Sequence, residues 1–188
     1  MRFVTLKTIV GIAFFIAMPI FVDAQQSTSS RCGFERWNVK VLSDPDAKRV
    51  RFDSVVETSI QQLNAIPIPE IPYPLNGRIA PHELTVYRIR AVVIQILTES
   101  DGDWHIILGD SSNTQIRMIG EIPSPECAAN DHHRQLYATA RSALRSVPRR
   151  GEVVLEGVGF FDFIHNQKGR AKNGFELHPV LFIAPFNR

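Results

Sequence analysis

The chain has 188 residues, of which 44% are hydrophobic and 21% charged, and its formal net charge is +2. This length is enough for one domain with a single hydrophobic core and too short for two domains of ordinary size. The near balance of charge argues against a partner recognised mainly through charge, such as duplex DNA.

The N-terminal segment has the pattern of a secretory signal peptide. Arg2 and Lys7 precede an apolar run over residues 8–22, and Ala24 ends a small-residue pattern that fits a cleavage site. The run is shorter than the roughly 20 apolar residues that a membrane-spanning helix needs. We therefore assign residues 1–24 to a signal peptide. We expect the mature protein to be secreted or periplasmic, with no membrane anchor after cleavage.

The two cysteines, Cys32 and Cys127, both lie in the mature chain. In an exported protein an even pair of cysteines is typically bridged. We therefore expect a disulfide bond that ties the start of the mature chain to its middle. Two unpaired buried thiols are the alternative, and neither cysteine has the spacing of a zinc or redox motif.

Residues 25–84 have little regular periodicity and are predicted to wrap the outside of the domain. Alternating apolar and polar residues over 37–41 predict a short strand, and Thr58 to Leu63 predicts a brief helix. The proline-rich stretch from Ile66 to Pro74 can form neither a helix nor a central strand. It is predicted to run as an extended strap whose isoleucines lie against the core.

Residues 85–188 have a regular β pattern. The β-branched run from Thr85 to Leu97 predicts one long curved strand with both faces partly buried. The turn at Asp101-Gly102 leads into a second strand over 104–108. A third strand is predicted around residues 116–122.

A helix and two further strands complete the predicted order. Asp131 is predicted to cap the helix, whose apolar positions recur at helical spacing from Leu136 to Val147. Strands are predicted over Glu152–Ile164 and Phe175–Ile183. Three strands, a helix and two strands, with a long curved first strand, give a mainly β fold: a five-stranded OB-type barrel. An open α+β sheet with the same element order is the alternative.

Ionisable side chains are concentrated between the first two strands. Glu99, Asp101, Asp103 and His105 occupy alternate positions, so in an extended segment they project from one face. Convergent carboxylates with an imidazole suit metal binding or proton transfer. Ordinary solvated turns carry such residues too, and the pattern does not decide between the two.

A second constellation joins distant parts of the chain. His105, Glu121, Glu176 and His178 are predicted to meet on one face of the barrel. Two imidazoles with carboxylates would suit zinc or another transition metal. Hydrogen-bonded structural residues are the alternative. His165, in the polar loop after the fourth strand, is a further candidate for ligand contact or for shaping that loop.

Four strings carry a broad resemblance that covers most of the mature chain. They are Glu99–His105, Glu121–Cys127, Gly159–His165 and Asn173–Val180. These strings resemble those of a family of exported bacterial proteins to which no function is assigned. The resemblance implies an exported bacterial protein and provides no mechanism.

A narrower resemblance concerns the staphylococcal nuclease family. Asp101-Gly102-Asp103, Arg117, Pro125-Glu126 and Gly169-Arg170 are similar to motifs of that family. Its enzymes use an OB-type barrel, a calcium ion and two arginines to hydrolyse phosphodiesters. The resemblance implies that Arg117 and Arg170 bind phosphate and that Glu126 activates water.

The same resemblance implies a divalent metal ion, with calcium the expected one. Asp103 corresponds to a calcium-ligating aspartate, and Asp101 and Glu121 complete the candidate metal set. Glu121 is a departure from the family pattern, because an aspartate is expected between Arg117 and Glu126.

Two functions of different class follow. The first is an exported OB-type binding module whose rim binds a single-stranded oligonucleotide or an oligosaccharide through Glu99, His105, His165 and His178. The second is a metal-dependent phosphodiesterase at the same rim. The sequence has no Gly-x-Ser-x-Gly elbow, Walker phosphate loop or HExxH helix, so other hydrolase chemistry has no support.

Overall fold

Five strands close into a barrel in the computed structural model of this protein, which describes residues 32–186. The predicted signal peptide lies outside the described residues. The helices and strands are, in chain order, α1 (Trp37–Lys40), β1 (Arg51–Thr58), α2 (Ile60–Asn64), β2 (Thr85–Thr98), β3 (Trp104–Asp110), β4 (Arg117–Ile122), α3 (Asp131–Arg145), β5 (Glu152–Phe161) and β6 (Phe175–Pro185).

The sheet order is that of an OB-type barrel. Neighbouring strands follow the order β1-β2-β3-β4-β6-β5, and β5 pairs back with β2 to close the wall. The β4–β6 pair is parallel and the other pairs of the barrel are antiparallel. Strand β1 lies outside the barrel and pairs in parallel with β2. The predicted mainly β barrel is therefore confirmed, and the open sheet is wrong.

Strand β2 has the length and curvature that its apolar run predicts. Its first part pairs with β5 as far as Val92, and its later part pairs with β3 from Ala91 to Thr98. The register shifts between Val93 and Gln95, which marks a bulge. A bulge bends a strand, and this one lets a single strand belong to two sides of the barrel.

The hydrophobic core fills the barrel interior and continues beneath α3. Its members include Ile106, Leu108, Met118, Leu155 and Leu177 from the wall, with Tyr137, Ala140 and Leu144 from α3. The cap of α3 differs from the prediction. The side chain of Asn130, not of Asp131, accepts a hydrogen bond from the backbone N–H of His133.

The wrapping segment agrees with the prediction only in part. Residues 37–40 form the helix α1 instead of a strand, and β1 was not predicted. Helix α2 is confirmed, with a capping box at Ser59. In the strap, Ile66 packs against the core, whereas Ile68 and Ile71 are 54% and 76% exposed.

A disulfide bond joins Cys32 to Cys127, as the sequence predicts. It fastens the start of the wrapping segment to the short 3₁₀ turn Pro125–Cys127, 95 residues further along the chain. Disulfides are typical of oxidising compartments. Among residues 32–186, no helix is long and apolar enough to cross a membrane.

Two buried ion pairs join distant parts of the wrapping segment, and the first of them also contacts the barrel. The guanidinium of Arg36 donates to both carboxylate oxygens of Glu83 at 2.7 Å and to the carbonyl oxygen of Phe161 on β5 at 2.9 Å. Arg78 pairs with Asp44 at 2.6 Å. All four charged side chains are buried, so their positions are fixed by charge as well as by packing.

Candidate functional site

The acidic and histidine side chains of β3, β4 and β6 lie on the face of the barrel wall opposite to the core. His105 on β3 is the direct neighbour of Glu121 on β4. Across the parallel pair, Ile119 on β4 is the neighbour of Glu176 on β6. Because side chains two positions apart in a strand share a face, Glu121 and His178 join this group.

His178 is the centre of the group. Its Nε2 lies 3.5 Å from Oδ2 of Asp103, while its Nδ1 lies 3.1 Å from Oε2 of Glu121 and 3.5 Å from Oε1 of Glu176. All four residues are at most 5% exposed, and His178 has no exposed surface. One imidazole is thus enclosed by three carboxylates in the protein interior.

Several polar atoms of this group have no hydrogen-bond partner. They are both ring nitrogens of His178, Oδ2 of Asp103 and Oε1 of Glu176. The distances are short, but the angles do not meet hydrogen-bond geometry. Buried polar atoms without partners are rare in folded proteins and cost free energy. Four such atoms lie together in this group.

Neighbouring groups fix the orientation of two of the carboxylates. The backbone N–H of Ser124 donates to Oδ1 of Asp103 at 2.9 Å and leaves Oδ2 facing His178. On the other side, Nδ1 of His105 lies 2.8 Å from Oε1 of Glu121, and its Nε2 lies 3.1 Å from the carbonyl oxygen of Lys168. A carbonyl oxygen and a carboxylate both accept, so His105 donates from both nitrogens and is charged.

The pKa values in the group follow from burial and from close charges. Burial lowers the pKa of His105, but the hydrogen bond and charge of Glu121 outweigh it and raise this pKa above its ordinary value. Burial likewise opposes the charged form of His178, and its contacts with Asp103 and Glu121 raise the pKa nevertheless. Burial, together with the charges of Glu121 and Asp162, raises the pKa of Glu176 to about 7.

A pocket of about 640 Å³ lies directly beside the group, and Glu121 belongs to both. The pocket is lined by Cys32, Gly33, Phe34, Glu35, Lys40, Glu99, Ser100, Asp101, Glu121, Asp162, His165 and Gln167. Five of these side chains are carboxylates. The one lysine, Lys40, lies 3.7 Å from the carboxylate of Asp162. The pocket therefore carries an excess of negative charge.

The disulfide and α1 build one wall of this pocket. Cys32 and Gly33 lie opposite the turn that carries Asp101. A β-carbon at Gly33 would be 2.6 Å from the ring of Trp37 and 3.0 Å from the carboxylate of Asp101. Only glycine permits this close approach. The wrapping segment is therefore a part of the site, and the barrel alone would not form it.

Most of the candidate residues from the sequence are brought together at this rim. Those in the pocket wall or the buried group are Glu99, Asp101, Asp103, His105, Glu121, His165, Glu176 and His178. Glu99 is also close to His105, at 3.7 Å. The acidic turn and the second constellation are thus a single site.

The residues that the nuclease resemblance adds lie elsewhere. Arg117 and Arg170 share a different pocket of about 580 Å³, together with Lys172. Arg117 begins β4 and Glu121 is four residues further on, a separation of about 13 Å along a strand. Glu126 is exposed and lines neither pocket.

Five participants were not predicted from the sequence: Phe34, Glu35, Lys40, Ser124 and Asp162. Asp162 had a signal, because a lone carboxylate between Phe161 and Phe163 is unusual in an aromatic strand. Lys40 and Ser124 enter through α1 and through a backbone N–H, which no local pattern indicates. No model of a known protein family matches the chain, and no curated protein matches it.

Proposed function

We propose that this protein is an exported OB-type binding module whose acidic rim pocket binds an oligosaccharide. The observation that supports the proposal most is the pocket of about 640 Å³ with five carboxylates in its wall. Its volume lies in the usual range of small-ligand sites, roughly 300–1,000 Å³. Carboxylates accept hydrogen bonds, and sugar hydroxyl or amino groups donate them.

The charge of the pocket favours a sugar over an oligonucleotide. Glu35, Glu99 and Asp101 line the wall, and Lys40 is opposed by Asp162. A polyanionic strand would bring its phosphates against these carboxylates. A neutral or amino-bearing oligosaccharide carries no such penalty.

An aromatic side chain at the mouth supports the same ligand class. Phe34 lines the pocket and is 92% exposed. An exposed ring of this kind has little structural use in a monomer, and it offers an apolar face to the C–H groups of a sugar ring. Hydrogen-bond acceptors below an exposed aromatic ring are the combination that a saccharide needs.

The N-terminal pattern and the disulfide support an exported location. The sequence predicts a signal peptide over residues 1–24, and the Cys32–Cys127 bond is typical of an oxidising compartment. We therefore propose that the module acts in the periplasm or outside the cell.

A binding panel tests the proposal. We expect calorimetric titration of the mature protein to detect oligosaccharides of glucose, glucosamine or N-acetylglucosamine in preference to single-stranded DNA. Glu99→Gln combined with Asp101→Asn is expected to weaken saccharide binding by tenfold or more, because each lost charge-assisted hydrogen bond contributes about 1.5–3 kcal/mol. Glu57→Gln, at an exposed pair on β1, is the matched control. Stronger binding of DNA than of any sugar would reject the proposal.

A phosphodiesterase is the second candidate. The observation in its favour is that Arg117 and Arg170 line one pocket, with Lys172 beside them. Arginine forks bind phosphate and neutralise charge that develops during its transfer. This function predicts cleavage of single-stranded DNA or RNA in the presence of calcium, manganese or zinc, lost in Arg117→Lys and Arg170→Lys. Intact substrate with every metal, at verified folding, would exclude it.

A further inference from the structure

We infer that the buried group beside the pocket is a transition-metal site, in which Asp103, Glu121 and His178 supply the protein ligands. This inference deepens the proposed function. It rests on the proposed function for one point only, which is that the metal ion faces the bound saccharide. The ion itself is a separate claim, carried by the geometry of these three residues.

The three residues present their ligand atoms at a suitable spacing. One atom from each lies within 4.8 Å of the others. Oε2 of Glu121 lies 3.1 Å from Nδ1 of His178, and Oδ2 of Asp103 lies 3.5 Å from the other ring nitrogen, Nε2. With metal–ligand bonds of about 2.0–2.1 Å, ligand atoms in a tetrahedral site are about 3.3 Å apart. The three ligand atoms would therefore have to close by at most about 1.5 Å around an ion.

A second, independent observation is that buried polar atoms of His178 and Asp103 have no hydrogen-bond partner. His178 has no exposed surface, and neither ring nitrogen has a hydrogen-bond partner among the described residues. Oδ2 of Asp103 also has no hydrogen-bond partner, and Asp103 is only 1% exposed. A cation would satisfy the ring nitrogen and the carboxylate oxygens together. No rearrangement of the fold would be needed.

Each ring nitrogen of His178 has a distinct use in such a site. Nδ1 lies 3.1 Å from Glu121 and 3.5 Å from Glu176, and Nε2 lies 3.5 Å from Asp103. One nitrogen would bind the ion and the other would donate its proton to a carboxylate. A metal-ligating histidine commonly donates its other N–H to a carboxylate, which fixes the ring and raises its basicity.

The remaining ligands have supporting contacts of the same kind. The N–H of Ser124 holds the far oxygen of Asp103, and His105 holds the far oxygen of Glu121. Outer contacts that orient ligating carboxylates are a general feature of metal sites. Both ligands are therefore positioned before an ion arrives.

The ligand set selects the class of metal. Calcium and magnesium take oxygen ligands almost entirely, whereas imidazole nitrogen suits zinc, copper, iron or nickel. One histidine with two carboxylates therefore favours a transition metal over the calcium that the sequence resemblance implies. Three protein ligands leave a coordination position open. Because Glu121 also lines the pocket, that position is accessible to a ligand bound there.

Metal binding is tested with the full mature protein after treatment with a chelator. We expect equilibrium dialysis against zinc or nickel, followed by elemental measurement, to give one ion per chain. A hundredfold excess of metal over its Kd is expected to raise the melting temperature by about 5–10 °C, with a smaller effect from calcium. Less than one ion per chain for every metal, or a calcium response equal to that of zinc, would overturn the inference.

Variants show where the ion binds and distinguish metal binding from saccharide binding. Asp103→Asn and His178→Gln are expected to lose the thermal response, whereas the matched control Glu57→Gln, at an exposed ion pair on β1, is expected to keep it. Circular dichroism establishes that each variant is folded, and the stoichiometry of the wild type decides the question if neither ligand variant folds. An unchanged response in a folded Asp103→Asn or His178→Gln variant contradicts the site. If metal-free protein still binds saccharide, the proposed function is supported, and the metal ion is not required for saccharide binding.

Discussion

Glu83→Gln is expected to lower the free energy of unfolding by about 3–5 kcal/mol, because it leaves the charge of Arg36 buried without its counterion. Arg36 and Glu83 are 2% and 0% exposed and share two hydrogen bonds of 2.7 Å. Glu83 also accepts the backbone N–H groups of Ile79 and Phe161. A glutamine cannot meet all these donors at once.

Urea unfolding followed by circular dichroism measures this loss. Glu57→Gln is the matched control, since it removes an exposed partner of Arg88 and is expected to cost less than about 1 kcal/mol. Similar losses in the two variants would show that burial of the Arg36–Glu83 pair does not matter. The test bears on function, because Arg36 directly precedes α1, which brings Lys40 to the pocket.

Replacing both cysteines by serine is expected to lower the free energy of unfolding by about 4 kcal/mol. The Cys32–Cys127 bond closes a loop with a sequence separation of 95, and a bond that closes a long loop restricts the unfolded chain strongly. The variant is also expected to bind saccharide more weakly, because Cys32 and Gly33 form part of the pocket wall.

The redox dependence of the wild type provides the control for this prediction. A reductant should lower the melting temperature of the wild type toward that of the Cys32→Ser/Cys127→Ser variant, and it should not affect the variant. A loss below about 1 kcal/mol, with unchanged saccharide binding, would show that the bond neither stabilises the domain nor shapes the site.

The barrel could be predicted from the sequence because its strands have clear patterns. Thr85 to Thr98 is a long β-branched run, and the alternation in β3 and β4 places Ile106 and Met118 inward and His105 and Glu121 on the opposite face. These patterns reflect burial on one or both faces of a strand, and the spacing of apolar residues in the sequence indicates such burial directly. The face that carries the site was therefore predictable.

The wrapping segment was less predictable because tertiary contacts determine it. The alternation of Trp37 and Val39 is typical of a strand, yet residues 37–40 are helical after Arg36, whose backbone is left-handed at φ 50°. Strand β1 is largely exposed, and its apolar residues do not alternate with polar ones. The sequence pattern therefore did not predict a strand there. Both depend on contacts with distant residues, which local propensity does not encode.

Which residues belong to the site depends on the register between paired strands and on segments that are far apart in the sequence. A pattern places Arg117 and Glu121 on the same face of β4, but only the paired strands show that they open into different pockets. Similarly, Lys40 reaches the pocket because α1 follows the disulfide at Cys32. Charge clusters could be predicted, whereas their separation into one acidic and one basic pocket could not.

Anomalous diffraction from crystals of the mature protein grown with zinc would locate the metal ion. We expect one strong peak enclosed by Asp103, Glu121 and His178, at about 2.0–2.2 Å from one ligand atom of each, beside the acidic pocket. A folded barrel without a peak at this position, with His178 hydrogen-bonded between the carboxylates as a charged side chain, would contradict it.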